Sequence, residues 1–320
     1  MTEEELGKQK RSRLCKLYFH EFFVSEFSWK SFGCNHERPE DFIDSQWLWM
    51  KPWLFTTYRV LLSLGCLVWI CFDIPREIHN YFHDKTHIWF VYATNWSFGL
   101  LTLAFFLLAL YCLIYNCPRR KDATLILYGP IWLIYIIALD TIIVVSIVYW
   151  VALANSNLGV FSSIWGKLKH SLAACLAVLD LFISSIPVRL AHAVYPILIG
   201  LIYAVFSYLF WLGGGEGPLG VGQVYPGLNW IHPKTAILSC LCALLFSFLI
   251  HILIYVTYYI RVKLSTCVGG RQAETVKQMK EGYKDLRSDV ENELRDDVAS
   301  EGSVTTWMED RTGRYYGTVE

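Results

Sequence analysis

Apolar residues are concentrated in six long runs along the chain, separated by shorter polar stretches. Each run is about 20 residues long, which is the length that a helix needs to cross a hydrocarbon core of roughly 30 Å. Within the runs the apolar residues are continuous and do not alternate with polar ones, a pattern that favours helices over the strands of a membrane barrel. We therefore predict an all-α fold, a polytopic membrane helix bundle with six transmembrane helices. The predicted spans are residues 54–72, 91–115, 126–151, 170–186, 190–212 and 236–260.

The placement of Lys and Arg residues predicts which side of the membrane each loop faces. Basic residues are concentrated in the amino-terminal arm, in the loop after the second run, at Arg189 and directly after the sixth run. Because cytoplasmic loops carry an excess of Lys and Arg, we predict that both tails are cytoplasmic. The topology divides the chain into a cytoplasmic amino-terminal arm at 1–52 with an interfacial segment at 17–30, a six-span membrane domain at 53–262, and a partly disordered cytoplasmic acidic tail at 263–320.

Composition narrows the classes of partner and cofactor. Hydrophobic residues make up 54% of the 320 residues, above the usual range of soluble domains, which indicates an integral, multi-pass membrane protein. Lys plus Arg and Asp plus Glu both number 28, so the net charge is zero and no nucleic-acid partner is predicted. The ten Cys residues have no paired spacing typical of a zinc site, so we predict no metal site and no cofactor. The expected partners are membrane lipids and a cytoplasmic partner for the acidic tail, and the plasma membrane is favoured over internal membranes.

Ionisable residues inside the predicted spans are the first candidate functional residues, because each one is costly to place in lipid and needs a partner. We expect a polar network within the bundle, in which carboxylates bond to hydroxyl groups of neighbouring helices. A proton or ion pathway would use the same residues and is the alternative interpretation. The residues of this membrane polar network are Asp140, Asp180, Arg189, His192 and His251.

The second candidate site is the pair Thr94 and His170. Thr94 is at the outer end of the second span and His170 is at the outer end of the fourth, and these spans run in the same direction across the membrane. The two residues are therefore expected at one depth. An imidazole within hydrogen-bond reach of a hydroxyl group can activate it as a nucleophile, which would make the pair catalytic. A helix cap for Thr94 and interfacial packing for His170 are the structural alternatives, and both interpretations stay open.

The loop at 213–234 is rich in Gly and contains three Pro residues, so it cannot form a regular helix. Its Gly spacing does not fit a phosphate-binding P-loop, because no Gly-Lys-Ser/Thr sequence follows. We expect an outer turn that Tyr225 and Trp230 pack onto the bundle, and a ligand-binding loop is the alternative.

Several short motifs stand in a fixed order along the membrane domain. They are DSQW at 44–47, YATNW at 92–96, Asp180, PVRLAH at 187–192 with YP at 195–196, and VYP at 224–226 with NW at 229–230. Together they resemble the rolling stone family of animal membrane proteins, over roughly residues 40–262. The resemblance implies a multi-pass membrane protein. Because the founding member of that family is linked to myoblast fusion, it also implies a role in cell–cell contact or fusion.

A more distant similarity runs to the androgen-induced membrane hydrolases, which cleave fatty-acid esters of hydroxy fatty acids with a Thr nucleophile and a His. Thr94 matches the position of that Thr. His170 matches the first of two His residues that stand three apart in that family, and the second falls on Ala173. This similarity implies an intramembrane Thr/His hydrolase of lipid esters as the alternative function. A proton or small-solute transporter that uses Asp140 and Asp180 is a weaker alternative, and the sequence favours a protein that is not an enzyme.

Overall fold

The structure is a computed structural model of the chain. The chain divides into two compact units, one formed by Phe27–Ala273 and the other by Met1–Glu26 together with Glu274–Glu320. The apolar runs all belong to the first unit. The residues that the structure describes are 26, 28–82, 84–116, 126–155, 159–217, 220–221, 223–268, 284–285, 287–290, 292, 306–309 and 315–318.

Each predicted span coincides with one long helix. In chain order, the helices of the first unit are α1 (Trp29–Phe32), α2 (Pro52–Tyr81), α3 (Thr86–Trp89), α4 (Ala93–Tyr115), α5 (Tyr128–Val148), α6 (Gly159–Ser162), α7 (Ile164–Ile183), α8 (Val194–Leu212) and α9 (Pro233–Cys267). The helices α1, α3 and α6 are single turns. A π-helical turn, Tyr149–Leu153, extends α5, and short 3-10 helices at Pro39–Phe42 and Leu190–Ala193 precede α2 and α8.

Three of the long helices extend beyond the apolar runs. Helix α2 continues past residue 72 and through Pro75 to Tyr81, and α9 is 35 residues long. Helix α7 begins at Ile164 instead of residue 170, because the Ser163 hydroxyl caps it by accepting a hydrogen bond from the Gly166 backbone N–H at 3.0 Å. Helices α2 and α9 both begin with a proline, which is favoured at the first helical position. The Ser163 cap and the two prolines are local signals that set where these helices begin. The apolar runs mark only the part of each helix that faces lipid or the core.

The fold is an all-α polytopic membrane bundle, as predicted. Five helices of the described chain are long and apolar enough to cross a membrane: Pro52–Tyr81, Ala93–Tyr115, Tyr128–Leu153, Leu190–Leu212 and Pro233–Cys267. The sixth, α7, has 20 residues and therefore a length of about 30 Å, but Lys167, Lys169 and Asp180 make it more polar than the others. The six-span count and the cytoplasmic position of both tails stay predictions.

Helices α7 and α8 are separated by a break around Pro187, as the sequence predicted. Residues 184–189 lie outside any helix, and the buried guanidinium group of Arg261 on α9 contacts the backbone on both sides of Ser184. Its Nη1 donates to the Leu181 carbonyl oxygen at 2.6 Å, and its Nη2 donates to the Ile186 carbonyl oxygen at 3.0 Å. This segment is therefore packed into one end of the bundle, which is predicted to face the cytoplasm and which we call the inner end.

The segment that precedes α2 docks on this break, which the sequence analysis did not predict. Ser45 forms an isolated antiparallel β-bridge with Ser184. The Gln46 backbone N–H donates to the Ile183 carbonyl oxygen at 3.0 Å, and the Trp47 indole N–H donates to the Phe182 carbonyl oxygen at 2.9 Å. The DSQW motif thus closes the carboxyl end of α7.

The loop between α8 and α9 contains two short hairpins. Strand β1 (Glu216–Gly217) pairs with β2 (Gly220–Val221), and β3 (Gln223–Tyr225) pairs with β4 (Leu228–Asn229). Gly217 is required by close packing, since a Cβ atom there would lie 2.3 Å from the Gln223 carbonyl oxygen. The Trp230 indole N–H donates to the Ser207 hydroxyl on α8 at 3.1 Å, and the Ala93 backbone N–H donates to the Tyr225 hydroxyl at 3.0 Å. Both residues predicted to pack the loop onto the bundle therefore do so.

In the acidic tail, β5 (Thr306–Glu309) pairs antiparallel with β6 (Tyr315–Thr318). This hairpin was not predicted from the sequence. The basic residues at positions 8–16 of the amino-terminal arm, most of the interfacial segment at 17–30 and the basic loop at 117–125 lie outside the described residues.

Candidate functional site

Four polar side chains meet inside the bundle, at the end predicted to face outward, and form what we call the lysine cluster: Asp73, Glu77, Asn95 and Lys169. The Lys169 ammonium group donates to a carboxylate oxygen of Asp73, to Glu77 Oε1 at 3.3 Å and to Asn95 Oδ1 at 2.5 Å. All four residues are buried. Lys169 thus has a partner for each of its three protons.

Three helices supply the lysine cluster. Asp73 and Glu77 stand four residues apart on α2 and so lie on one face of that helix. Asn95 is in the first turn of α4, and its amide N–H donates to the Trp89 carbonyl oxygen at 2.8 Å, which turns its own oxygen towards Lys169. Arg76 donates to Asp73 Oδ1 at 2.8 Å. The positive charges of Lys169 and Arg76 therefore balance the negative charges of the two carboxylates on α2.

Aromatic rings surround this charged group. The Lys169 ammonium nitrogen is 5.7 Å from the centroid of Trp89 and 5.6 Å from the centroid of Phe98, which is within the range of cation–π attraction. The Tyr92 ring stacks on Phe82, with 5.4 Å between centroids. Apart from Arg76, the side chains named here around the lysine cluster are aromatic.

Thr94 and His170, the candidate catalytic pair, stand directly beside the lysine cluster in sequence. Thr94 precedes Asn95 and His170 follows Lys169, so the two flank the hydrogen bond that joins α4 to α7. The Thr94 side chain interacts with the Tyr225 hydroxyl, whereas the His170 ring stacks on Tyr149 with 3.8 Å between centroids. The two residues lie at one end of the bundle but have separate partners.

Four of the five residues expected in the membrane polar network are connected. Asp140 Oδ2 is 3.3 Å from His251 Nδ1, and the Ser247 hydroxyl donates to Asp140 Oδ1 at 2.7 Å. His251 Nε2 donates to the Arg189 carbonyl oxygen at 3.0 Å, since a carbonyl can only accept. This chain of contacts links α5 and α9 to the break before α8.

Arg189 and His192 extend this chain to the amino-terminal segment. Arg189 Nη1 donates to the Gly33 carbonyl oxygen at 2.7 Å, and His192 Nε2 donates to the same oxygen at 3.2 Å. Arg189 Nη2 donates to the Asn35 carbonyl oxygen at 2.6 Å. The PVRLAH motif therefore anchors residues 33–35 through their backbone.

Asp180 belongs to a different group. Its Oδ1 accepts a hydrogen bond from Arg59 Nη1 at 2.6 Å and another from the Tyr58 hydroxyl at 2.9 Å. Both members of the Arg59–Asp180 ion pair are fully buried. The pair joins α2 to α7 at the opposite end of α2 from the lysine cluster.

The charged residues of α2 were missed in the sequence analysis, although a signal for them exists. Arg59, Cys66, Asp73 and Glu77 are spaced by seven, seven and four residues, so they fall on one helical face, and all four are buried. An apolar run with a polar stripe of this spacing predicts an inward-facing polar surface. Lys169 could be recognised in the sequence only as the counter-charge that Asp73 and Glu77 require. A basic residue near the end of a span is common and does not by itself indicate a buried site.

The chemistry of the lysine cluster favours a structural anchor. The Lys169 nitrogen donates to three acceptors, so it is not positioned to act as a nucleophile. Within the described residues, no group of three or more His, Cys, Asp or Glu side chains is placed to hold a metal ion. The catalytic roles of Thr94 and His170 and the pathway role of the polar network stay predictions.

Comparison with known proteins gives two matches. The family model described as "Protein rolling stone" matches residues 13–269. A relative named "Protein rolling stone" from Drosophila melanogaster is 24% identical over 233 residues, which cover 69% of this chain and 83% of the relative. No solved structure matches the chain.

Proposed function

From the membership of this chain in the rolling stone family, we propose that it is a multi-pass membrane protein that acts in cell–cell contact or fusion. The family match over residues 13–269 carries the proposal, because it covers the whole helix bundle and not one motif. The relative in Drosophila melanogaster is matched over 83% of its length, so the resemblance extends to the architecture. A location in the plasma membrane is part of the proposal.

The surface predicted to face outward is compact and partly apolar. Its loops connect α2 to α4, α5 to α7 and α8 to α9, and they pack on one another through Phe82, Tyr92, Phe161 and Tyr225. Phe90 and Ile231 project from these loops with 60% and 59% of their surfaces exposed. In a contact or fusion protein, such residues would engage the facing membrane or its proteins.

A cell-mixing assay tests this function. The full-length chain is produced in two cell populations that carry complementary halves of a fluorescent reporter, and fused cells are counted. We expect several-fold more fused cells with the protein in both populations than in neither. A Phe90→Ser, Ile231→Ser variant should lose this gain at equal surface level.

The matched control changes two residues at the opposite end of the bundle. Ile126 and Leu127 are 57% and 69% exposed, so an Ile126→Ser, Leu127→Ser variant removes a similar apolar surface. It should fuse cells as well as the natural sequence does. Cell mixing that does not depend on the protein would refute the proposed function, and protein-dependent mixing that both variants retain would refute the role of Phe90 and Ile231.

An intramembrane Thr/His hydrolase of lipid esters is a second candidate. The observation in its favour is that Thr94 and His170 flank the Asn95–Lys169 hydrogen bond, which supports one depth for both side chains. Catalysis would require the two side chains to leave their present partners, Tyr225 and Tyr149, and approach one another.

Covalent labelling of the purified protein with a fluorophosphonate probe distinguishes the two candidates. An activated hydroxyl group would be labelled in the natural sequence, and the labelling would vanish in both Thr94→Ala and His170→Ala. Ser97→Ala, one turn further along α4, is the control that should retain it. Labelling that is absent, or unaffected by either change, would rule out the hydrolase.

A further inference from the structure

The inner end of the bundle contains two fully buried arginine residues, Arg59 on α2 and Arg261 on α9. Arginine stays protonated in proteins, so both bring a positive charge into the interior. Asp180 is fully buried beside them and is a charged neighbour of both guanidinium groups. Asp41 is a second charged neighbour of Arg261, but it is shared with Arg38 at 3.4 Å, so these three arginine residues face two carboxylates. A buried charge without a counter-charge is strongly unfavourable, so this imbalance is the feature that needs an explanation.

The hydrogen bonds of Arg59 leave one of its edges free. Its Nη1 donates to Asp180, but within the described part of the chain its Nε and Nη2 atoms have no hydrogen-bond partner. These two N–H groups lie side by side on one edge of the planar guanidinium group. Such an edge matches the two oxygen atoms of a carboxylate or a phosphate and binds them in parallel.

Arg261 is only partly satisfied as well. Its two Nη atoms donate to backbone carbonyl oxygens, which carry no net charge, and among the described residues its Nε has no partner. The Tyr135 ring lies near both arginine residues and Asp180. Of the acids on the docked amino-terminal segment, Asp41 is engaged by His36 at 2.9 Å and by Arg38 at 3.4 Å, and Asp44 is only half-buried.

We propose that the free edge of Arg59 binds an oxyanion with a single negative charge, a carboxylate or a phosphodiester, between α2, α7 and α9. One such charge completes the balance of Arg59, Arg261 and Asp180. In a membrane bundle the oxyanion is carried by a lipid or taken up from solution. Among the described residues, Asp180 Oδ2 also lacks a hydrogen-bond partner.

Thermal unfolding of the full-length protein in a neutral detergent tests this proposal. Oleate supplies a carboxylate on an acyl chain, a lysophosphatidylglycerol supplies a phosphodiester, monoolein supplies an uncharged head group, and inorganic phosphate supplies an oxyanion without a chain. At a concentration well above its dissociation constant, at least one oxyanion probe should raise the unfolding midpoint by about 5 °C. Monoolein should not. An effect of inorganic phosphate equal to that of the lipids would place the source of the oxyanion in solution.

Arg59→Lys is the diagnostic variant, because a lysine keeps the charge opposite Asp180 but lacks the two-donor edge. It should bind the probe about tenfold more weakly. Arg76→Lys, at the other end of α2, is the matched control and should bind like the natural sequence. An unchanged affinity of Arg59→Lys would overturn the proposal. So would a natural protein that no oxyanion stabilises, or that monoolein stabilises equally, and these two outcomes do not require the variant to fold.

Discussion

Replacement of Lys169 by methionine is expected to prevent the membrane bundle from folding stably. Methionine fills a similar volume but leaves the carboxylates of Asp73 and Glu77 buried without the ammonium group that both contact. Removing one partner of a buried ion pair typically costs about 3 to 5 kcal/mol, a large share of the total stability of about 5 to 15 kcal/mol that is usual for proteins. We expect a low yield of monodisperse protein in mild detergent and a loss of the cooperative unfolding transition, measured by tryptophan fluorescence.

The control for this change stands two residues earlier on the same helix. Lys167 is half-buried and is not part of the lysine cluster, so Lys167→Met should leave the yield and the unfolding midpoint nearly unchanged. Lys169→Met, Asp73→Asn, Glu77→Gln, which removes all three charges together, should recover much of the lost yield. A Lys169→Met protein as stable as Lys167→Met would show that the lysine cluster does not hold α2, α4 and α7 together.

Two aspartate residues that look alike in the sequence are expected to respond differently to neutralisation. Asp180→Asn removes the carboxylate that two buried arginine residues face, so we expect a loss of about 3 to 5 kcal/mol. Asp140→Asn should cost only about 1 kcal/mol. The asparagine oxygen still accepts from Ser247, and its amide can donate to the Nδ1 of a neutral His251.

Paired measurements on the two variants provide the test. Unfolding midpoints are compared in the same detergent, with the unchanged protein as reference. Equal losses would mean that the positive charges of Arg59 and Arg261 are balanced by something other than Asp180. A larger loss at Asp140 would show that His251 carries a positive charge that depends on that carboxylate.

The spans could be predicted from the sequence because lipid imposes a length and an apolar composition on each helix. The helix bounds could be predicted less well, since α2 continues for nine residues beyond the apolar run that ends at residue 72. Those added residues hold Asp73 and Glu77, which an apolar pattern excludes by definition. The end of a hydrophobic run is therefore a poor guide to the end of a helix when the polar residues face the core.

The pairing of residues was the part that could not be predicted. Asp180 and Asp140 were expected in one network, but Asp180 pairs with Arg59 and Asp140 with His251. One shared network and two separate pairs would both give each carboxylate a partner. Which of the two forms depends on how the helices pack. The docking of residues 33–47 was equally hidden, because most of its hydrogen bonds use backbone carbonyl groups, which every sequence provides.

The Arg59–Asp180 ion pair also sets an order of events during synthesis. The two residues are separated by 121 positions, so at roughly 5 to 20 residues per second the ribosome makes Asp180 roughly 6 to 24 seconds after Arg59. During this interval α2 has entered the membrane with a guanidinium group that lacks its carboxylate. Because a charged side chain is costly in lipid, we expect the nascent helix to stay in a protein-lined or hydrated environment until α7 emerges. Release of α2 into lipid is thus coupled to the synthesis of more than half of the chain.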